Sequence, residues 1–166
     1  MARFGTVMTA MVTPFDDTGA LDIDAAQALA RWLVDHGNDG LVVAGTTGES
    51  PTLTHAEQAS LIEAIVDAVD VPVLAGAGSN DTRAAIDLTE RATAAGASGI
   101  LSVAPYYNRP SQAGLLGHFR AIAEATHLPI VVYDIPVRTG RKVETDTLLE
   151  LAHDVPNIVG LKDAAG

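Results

Sequence analysis

The chain has 166 residues, of which 48% are hydrophobic, and this is enough to build one well-cored domain. Its formal net charge of −11 disfavours a nucleic-acid or anionic-membrane partner, because both call for a basic surface. The sequence contains no cysteine, which excludes disulfides, iron–sulfur clusters and a thiolate nucleophile.

The beginning of the sequence has no basic region followed by a long apolar stretch, so we expect no signal peptide. No apolar run approaches the roughly 18 residues that a membrane span needs. A cytoplasmic protein is therefore expected.

Six short apolar runs predict β-strands, and five segments between them predict helices. The predicted strands are Thr6–Val12, Gly40–Ala44, Pro72–Ala75, Ile100–Val103, Pro129–Tyr133 and Asn157–Asp163. The predicted helices run from Asp22 to about His36, from Thr54 to about Val69, from Asp81 to about Ala95, from Ser111 to about Ala125 and from Thr145 to about His153. In the first helix, Leu29, Trp32 and Leu33 are predicted to share one face.

The strand centres recur about every 30 residues without a linker, which predicts a single domain over residues 1–166 built from βα units. Such alternation gives a parallel sheet, either doubly wound or closed into a (β/α)₈ barrel, and in both folds ligands gather at the carboxyl ends of the strands. A full barrel needs about 250 residues. A barrel of this length would be incomplete, with five βα units, a sixth strand, and open apolar edges at the first and sixth strands.

The sixth predicted strand is an apolar run that ends in Lys162. A lysine at the carboxyl end of a buried strand is costly unless it has a use there. Partial desolvation lowers the pKa of an amine, and the neutral amine can then form a Schiff base with a carbonyl group. The alternative is a strand-end lysine that simply reaches solvent.

Polar side chains also follow the other predicted strands. They are Thr46, Thr47, Ser79, Asn80, Tyr106, Tyr107, Tyr133 and Arg138. Thr46 and Thr47 lie in a glycine-flanked turn and could bind a small anion or could serve only the turn and a helix cap. Tyr133 suits proton transfer beside an amine, or is a strand-end aromatic with its hydroxyl in water. Arg138 suits a substrate carboxylate, or is one exposed loop charge.

Other kinds of site are disfavoured. The histidines lie on different predicted helices or at their ends without the spacing of metal ligands, so surface or capping positions are expected for them. They are His36, His55, His118, His127 and His153. The segment from Gly45 to Ser50 lacks the lysine of a phosphate-binding P-loop, and no serine lies in a Gly-x-Ser-x-Gly elbow.

Four motifs at the predicted strand exits resemble those of the 4-hydroxy-tetrahydrodipicolinate synthase (dihydrodipicolinate synthase) family, which are pyruvate-dependent Schiff-base lyases on the (β/α)₈ barrel. The resemblance runs along the whole chain from Thr9-Ala-Met-Val-Thr-Pro-Phe15 onward. The motifs are Gly45-Thr-Thr-Gly-Glu-Ser50, Pro105-Tyr-Tyr-Asn-Arg-Pro110, Tyr133-Asp-Ile-Pro-Val-Arg-Thr-Gly140 and Gly160-Leu-Lys-Asp-Ala-Ala-Gly166. Family members continue for well over a hundred residues beyond this point.

The resemblance implies a role for each matching residue in the condensation of pyruvate with L-aspartate-4-semialdehyde, a step of lysine biosynthesis by way of diaminopimelate. Lys162 resembles the amine that forms the imine with pyruvate, so no separate cofactor is expected. Tyr133 resembles the proton donor and acceptor, with Thr46 relaying protons between Tyr133 and Tyr107. Thr47 would bind the pyruvate carboxylate.

The resemblance also implies specificity and assembly. Arg138 matches the arginine that receives the semialdehyde carboxylate, and the loop of N-acetylneuraminate lyase usually lacks it. The tyrosine that matches Tyr107 is lent by a neighbouring subunit, which implies a homo-oligomer, a dimer of dimers in the full-length family.

The residues His55, Asn80 and Tyr106 match a lysine-binding effector cleft of the family. Ala84 and Gln58 depart from the acidic residue and the histidine that are frequent there. Lysine feedback is therefore not predicted for this chain.

Two alternatives remain open. One is another pyruvate-dependent lyase or aldolase, such as one like N-acetylneuraminate lyase, that uses the same lysine. The other is a non-catalytic fragment that assembles through its open strand edges, for which a flavodoxin-like sheet is a related structural option.

Overall fold

Strands and helices alternate along the chain in the predicted order. The structure is a computed structural model that describes residues 4–166. Its elements are β1 (Met8–Ala10), α1 (Ile23–Asp35), β2 (Gly40–Val43), α2 (His55–Ala68), β3 (Val73–Gly76), α3 (Thr82–Ala94), β4 (Gly99–Val103), α4 (Gln112–Glu124), β5 (Ile130–Asp134), α5 (Pro136–Thr139), α6 (Thr145–Asp154) and β6 (Ile158–Asp163), with a 3₁₀ turn at Ser50–Thr52.

The contacts within the chain divide it into two compact units. The first unit extends to Gly76 and includes Arg91–Gly99, and the second consists of Ala77–Glu90 and Ile100–Gly166. The single domain over residues 1–166 stays a prediction. No helix among residues 4–166 has both the length and the apolar character that crossing a membrane requires.

The first unit contains the parallel strands β1, β2 and β3. Met8 lies opposite Gly40, and Leu41 lies opposite Val73. All four residues of β2 are buried, as expected for an unbroken apolar run that is covered on both faces. At the end of β2 the chain enters the turn that carries Thr46 and Thr47.

The packed face of α1 does not include Trp32. Ala26 and Ala30 are fully buried, whereas 55% of Trp32 is exposed and its ring stacks on His36 at 4.1 Å between centroids. Ala26 and Ala30 are four residues apart, so they share one face of the helix, and this face is the packed side. Trp32 follows Ala30 by two positions and therefore lies on the opposite side. The small alanines let the helix approach its neighbours closely.

The second unit contains the parallel strands β4, β5 and β6. Val103 lies opposite Tyr133, and Tyr133 lies opposite Lys162. The expectation that the sixth strand is buried is wrong, since Val159 and Leu161 are 40% and 42% exposed. An exposed apolar strand of this kind agrees with the open edge predicted for an incomplete barrel.

Helix ends are set by the residues that the sequence predicts. The Asp22 side chain accepts a hydrogen bond from the Ala25 amide, and Ser111 does the same for Gly114. Thr54 and Glu57 form a reciprocal capping box at the start of α2. These caps fix where α1, α2 and α4 begin.

One histidine contradicts the expectation of surface or capping positions. His118, in α4, is only 5% exposed, and its Nδ1 lies 2.9 Å from the Thr82 hydroxyl oxygen. Its Nε2 is buried without a hydrogen-bond partner. Burial lowers the pKa of His118 to about 4, and the charge of Asp81 offsets only part of that effect.

The buried His118 predicts an acid-dependent loss of stability. The folded-state pKa of about 4 lies below the ordinary value of 6.5, so between these values the unfolded chain binds the proton more tightly. The contribution of neutral His118 to the free energy of unfolding is complete above pH 6.5. It decreases as the pH falls toward 4, by about 3 kcal/mol in total. Urea titrations of the wild type and His118→Gln between pH 7 and 4 should show a steeper loss in the wild type. His127→Gln, at an exposed position, is the control and should follow the wild type.

Candidate active site

Lys162 and Tyr133 meet at the carboxyl ends of β6 and β5. They are register partners, and the Lys162 Nζ lies 4.2 Å from the centroid of the Tyr133 ring. Tyr133 is buried, with 6% exposed, and Lys162 is half-buried. The Tyr133 ring is thus packed inside the protein, and the Lys162 side chain is partly shielded from solvent.

Burial lowers the pKa of Lys162 below its ordinary value of 10.5. A lower pKa leaves more of the amine neutral at a given pH, and only the neutral amine is a nucleophile. A phenol beside that amine is a group of the type that carries protons during addition and loss of water at a carbonyl carbon. This pair is therefore suited to Schiff-base chemistry.

Asp134 is a buried carboxyl group that the sequence did not single out. It follows Tyr133 in β5, is 1% exposed, and accepts a hydrogen bond from the Val143 amide at 3.2 Å. Burial raises the pKa of Asp134, while that hydrogen bond and the charge of Lys142 lower it. Successive strand residues point to opposite faces, so Asp134 secures the returning chain at Val143 from the face opposite Tyr133.

Arg138 is exposed on the short helix α5, directly after β5. The segment was interpreted as a loop, yet Pro136 starts a helical turn and Gly140 ends it at φ +72°. The buried Thr139 hydroxyl donates to the Arg141 carbonyl at 2.8 Å. These bonds hold a four-residue helix that presents a guanidinium group at the end of the strand.

The loop after β4 carries Tyr106 and Tyr107. Tyr107 is 90% exposed and has a φ of +73°, and Tyr106 is 36% exposed. The Asn108 side-chain amide donates to the Asn80 carbonyl at 3.0 Å. The structure thus joins the loop that contains Tyr106 to Asn80, two of the three residues predicted for an effector cleft.

The remaining predicted residues lie in the first unit. Thr46 and Thr47 are exposed in a turn that is closed by the Glu49 amide donating to the Thr46 carbonyl at 3.2 Å. The Thr13 hydroxyl donates to the carbonyl of the buried Gly48 at 2.6 Å and secures the same turn. His55 is exposed at the first position of α2. Thr46 and Thr47 therefore lie at the surface of this unit.

Gln58 has a structural explanation for its departure from the family pattern. It is buried, and its side-chain amide donates to the Ser50 carbonyl at 2.8 Å. Among residues 4–166, no three histidine or acidic side chains are arranged to hold a metal ion.

Comparison with known proteins agrees with the motifs at these strand ends. A sequence profile of the Dihydrodipicolinate synthetase family matches residues 3–166. The chain belongs to the dihydrodipicolinate synthetase family. The 4-hydroxy-tetrahydrodipicolinate synthase of Acidothermus cellulolyticus is 58% identical over 167 residues, which cover 99% of this chain and 54% of that protein.

Solved structures of dihydrodipicolinate synthases share the fold. The enzyme of Cyanidioschyzon merolae with lysine bound superposes with a TM-score of 0.97 at 48% identity, covering 99% of this chain and 57% of that one. The enzyme of Acinetobacter baumannii complexed with pyruvate gives a TM-score of 0.93 at 42% identity, covering 97% and 56%. The predicted fold class is confirmed as the N-terminal part of a (β/α)₈ barrel. The chain spans about half the length of the dihydrodipicolinate synthases that it matches.

Proposed function

We propose that this chain carries the Schiff-base centre of a 4-hydroxy-tetrahydrodipicolinate synthase, which condenses pyruvate with L-aspartate-4-semialdehyde. The observation that carries the proposal is the half-buried Lys162 amine, with its lowered pKa, 4.2 Å from the Tyr133 ring. The names of the family's relatives support this reaction, and a pyruvate complex is known for the Acinetobacter enzyme.

The reaction begins when the neutral Lys162 amine adds to the keto carbon of pyruvate. The carbinolamine loses water with proton transfer through Tyr133, which gives an imine. The imine accepts the electron pair left when a methyl proton passes to the Tyr133 oxygen, so an enamine forms. The enamine carbon bonds to the aldehyde carbon of the semialdehyde, and the substrate amine then attacks the imine carbon and displaces Lys162 as the ring closes.

The other residues bind substrate carboxylates or transfer protons in this proposal. Thr47 binds the pyruvate carboxylate, and Thr46 relays protons between Tyr133 and Tyr107. Arg138 binds the carboxylate of the semialdehyde through charge-assisted hydrogen bonds. The 90% exposure of Tyr107 supports its presentation to a second subunit, so we include a homo-oligomer, a dimer of dimers, in the proposal. The proposal also includes the cytoplasmic location expected from the sequence.

A substrate comparison separates this reaction from that of a lyase like N-acetylneuraminate lyase. Turnover is measured with pyruvate and aspartate-4-semialdehyde, and separately with sialic acid and with keto-deoxy sugars. We expect turnover only with the semialdehyde, since Arg138 is placed for a carboxylate rather than for a sugar chain. Cleavage of sialic acid without any reaction of the semialdehyde would refute the proposal.

The non-catalytic alternative rests on the exposed Val159 and Leu161 of β6, which favour association through this strand. Size-exclusion chromatography with light scattering tests such association. A compact soluble monomer would count against it. Oligomers that trap no pyruvate on Lys162 would favour this alternative over the enzyme.

A further inference from the structure

The loop between β4 and α4 holds an unfavourable backbone conformation. Tyr107 and Arg109 have φ values of +73° and +45°, and they are two of the four non-glycine residues with positive φ among residues 4–166. Residues with a Cβ rarely adopt a positive φ, and where they do, contacts with the surrounding structure maintain this backbone conformation. The contacts of Asn108 and Arg109 are therefore informative.

Asn108 and Arg109 fix the loop on two sides. The Asn108 side-chain amide donates to the Asn80 carbonyl at 3.0 Å, which ties the loop to the segment after β3. Arg109 reaches the opposite way, to the segment after β5. Its guanidinium group occupies the space beside Gly140 where another residue would have its Cβ.

A Cβ at position 140 would collide with the Arg109 side chain, which would have to move away. A Cβ there would lie 2.6 Å from the Arg109 Nε and 3.2 Å from its Cζ and Nη2. Gly140 also has a φ of +72° and donates its amide to the Pro136 carbonyl at 2.8 Å, which ends α5. Gly140 thus lies against the Arg109 side chain and also ends the helical turn that carries Arg138.

A helix of four residues has little stability of its own, because the conformational entropy lost in forming the first turn exceeds the free energy gained from so few hydrogen bonds. The Arg138 turn therefore depends on contacts from outside it. Within the second unit, Arg109 supplies such a contact from the neighbouring strand exit, next to the last residue of the turn.

We propose that Arg109 is a positioning residue that holds the Arg138 turn in the orientation required to bind the carboxylate of the aldehyde substrate. The inference rests on the proposed function, because the carboxylate role of Arg138 belongs to it. Arg109 itself does not contact the reacting atoms in this proposal. Loss of the contact should weaken binding of the second substrate and leave the reaction of Lys162 with pyruvate intact.

The test compares Arg109→Ala, Arg109→Lys, Gly140→Ala and the double variant Arg109→Ala/Gly140→Ala with the wild type. The first readouts are borohydride-trapped pyruvate on Lys162 and the Michaelis constant for aspartate-4-semialdehyde. We expect full trapping in every variant and a Michaelis constant raised about tenfold in Arg109→Ala and Gly140→Ala. Arg109→Lys should resemble Arg109→Ala, since lysine has no guanidinium group to supply the Nε, Cζ and Nη2 atoms that lie beside Gly140.

The double variant identifies the contact itself. If Arg109 and Gly140 act through one contact, the second change adds nothing once the first is made, so the double variant should match Gly140→Ala within about twofold. Arg83→Ala is the control, because it removes an exposed arginine of the same unit whose side chain is 94% exposed. It should match the wild type.

A second readout does not require turnover. Trypsin cleavage after Arg138 reports local opening of the turn, and we expect it to be about fivefold faster in Arg109→Ala and Gly140→Ala. Arg109 precedes Pro110 and is itself a poor trypsin site, so its replacement removes no cleavage site that competes with the site after Arg138. If pyruvate is trapped without turnover, the semialdehyde concentration that halves cleavage after Arg138 replaces the Michaelis constant.

The outcomes separate the two proposals. Absence of an adduct on wild-type Lys162 would refute the proposed function, and the cleavage rates would still show whether Arg109 holds the turn. Trapping with a wild-type Michaelis constant in Arg109→Ala would overturn the positioning role, even if cleavage became faster. Additive effects in the double variant would also overturn it.

Discussion

Lys162→Arg is expected to abolish trapping of pyruvate and to reduce the condensation rate by at least about 10³-fold. Arginine keeps the positive charge and much of the volume, but its guanidinium group stays protonated and cannot attack a carbonyl carbon. The substituted residue still lies opposite Tyr133 in β6, so the strand pairing should be preserved. The rate is measured with saturating pyruvate and semialdehyde.

The chain offers a matched control for this substitution. Lys142 is its one other lysine, exposed in the same unit. Lys142→Arg should retain the adduct and the rate of the wild type. Condensation that survives in Lys162→Arg but disappears in Lys142→Arg would show that the nucleophile has been assigned to the wrong lysine.

Arg138→Ala should raise the Michaelis constant for aspartate-4-semialdehyde by about 10- to 100-fold, the effect of about 1.5–3 kcal/mol from a charge-assisted hydrogen bond. Formation of the pyruvate imine on Lys162 should be unchanged, because Arg138 is assigned to the second substrate. The two readouts are steady-state kinetics with varied semialdehyde and borohydride trapping with pyruvate alone.

Arg141→Ala is the control, since Arg141 is an exposed arginine three residues further along the same segment. It should leave both readouts unchanged. An unaltered Michaelis constant and turnover number in Arg138→Ala would remove Arg138 from the site. An equal effect of Arg141→Ala would indicate a general influence of charge rather than a specific contact.

The alternation of strands and helices could be predicted because each strand is a short apolar run and because α1, α2 and α4 begin at capping residues that are visible in the sequence. The capping box of Thr54 and Glu57 is an example, because both halves of it are visible in the sequence and both form. The Lys162–Tyr133 pair was predicted from strand ends and from motif resemblance, and parallel register brings the two together.

Side-chain burial was harder to predict. Trp32 is a large apolar residue of α1 but is exposed, whereas the small residues Ala26 and Ala30 form the packed side of the helix. His118 was expected at the surface, yet its partner Thr82 lies 36 residues away in the sequence. Hydropathy of single residues carries no information about such distant partners.

Contacts between segments that follow different strands could not be predicted from the sequence either. Asp134 was noted only as part of a motif, and its hydrogen bond to Val143 requires the chain to return over β5. Arg109 was likewise one letter of a motif until the structure placed its guanidinium group beside Gly140. Both contacts depend on positive-φ or short helical turns, which local propensities predict poorly.

The most direct test of the Schiff-base centre is treatment of the chain with pyruvate and borohydride, followed by intact mass measurement and peptide mapping, with circular dichroism of the same sample. Borohydride reduces an imine to a stable amine, so it records which nitrogen has condensed. We predict a folded protein with one reduced pyruvate adduct, confined to Lys162. A folded sample without an adduct, or with the adduct on Lys142 or the N-terminal amine, would contradict the assignment of Lys162 as the nucleophile.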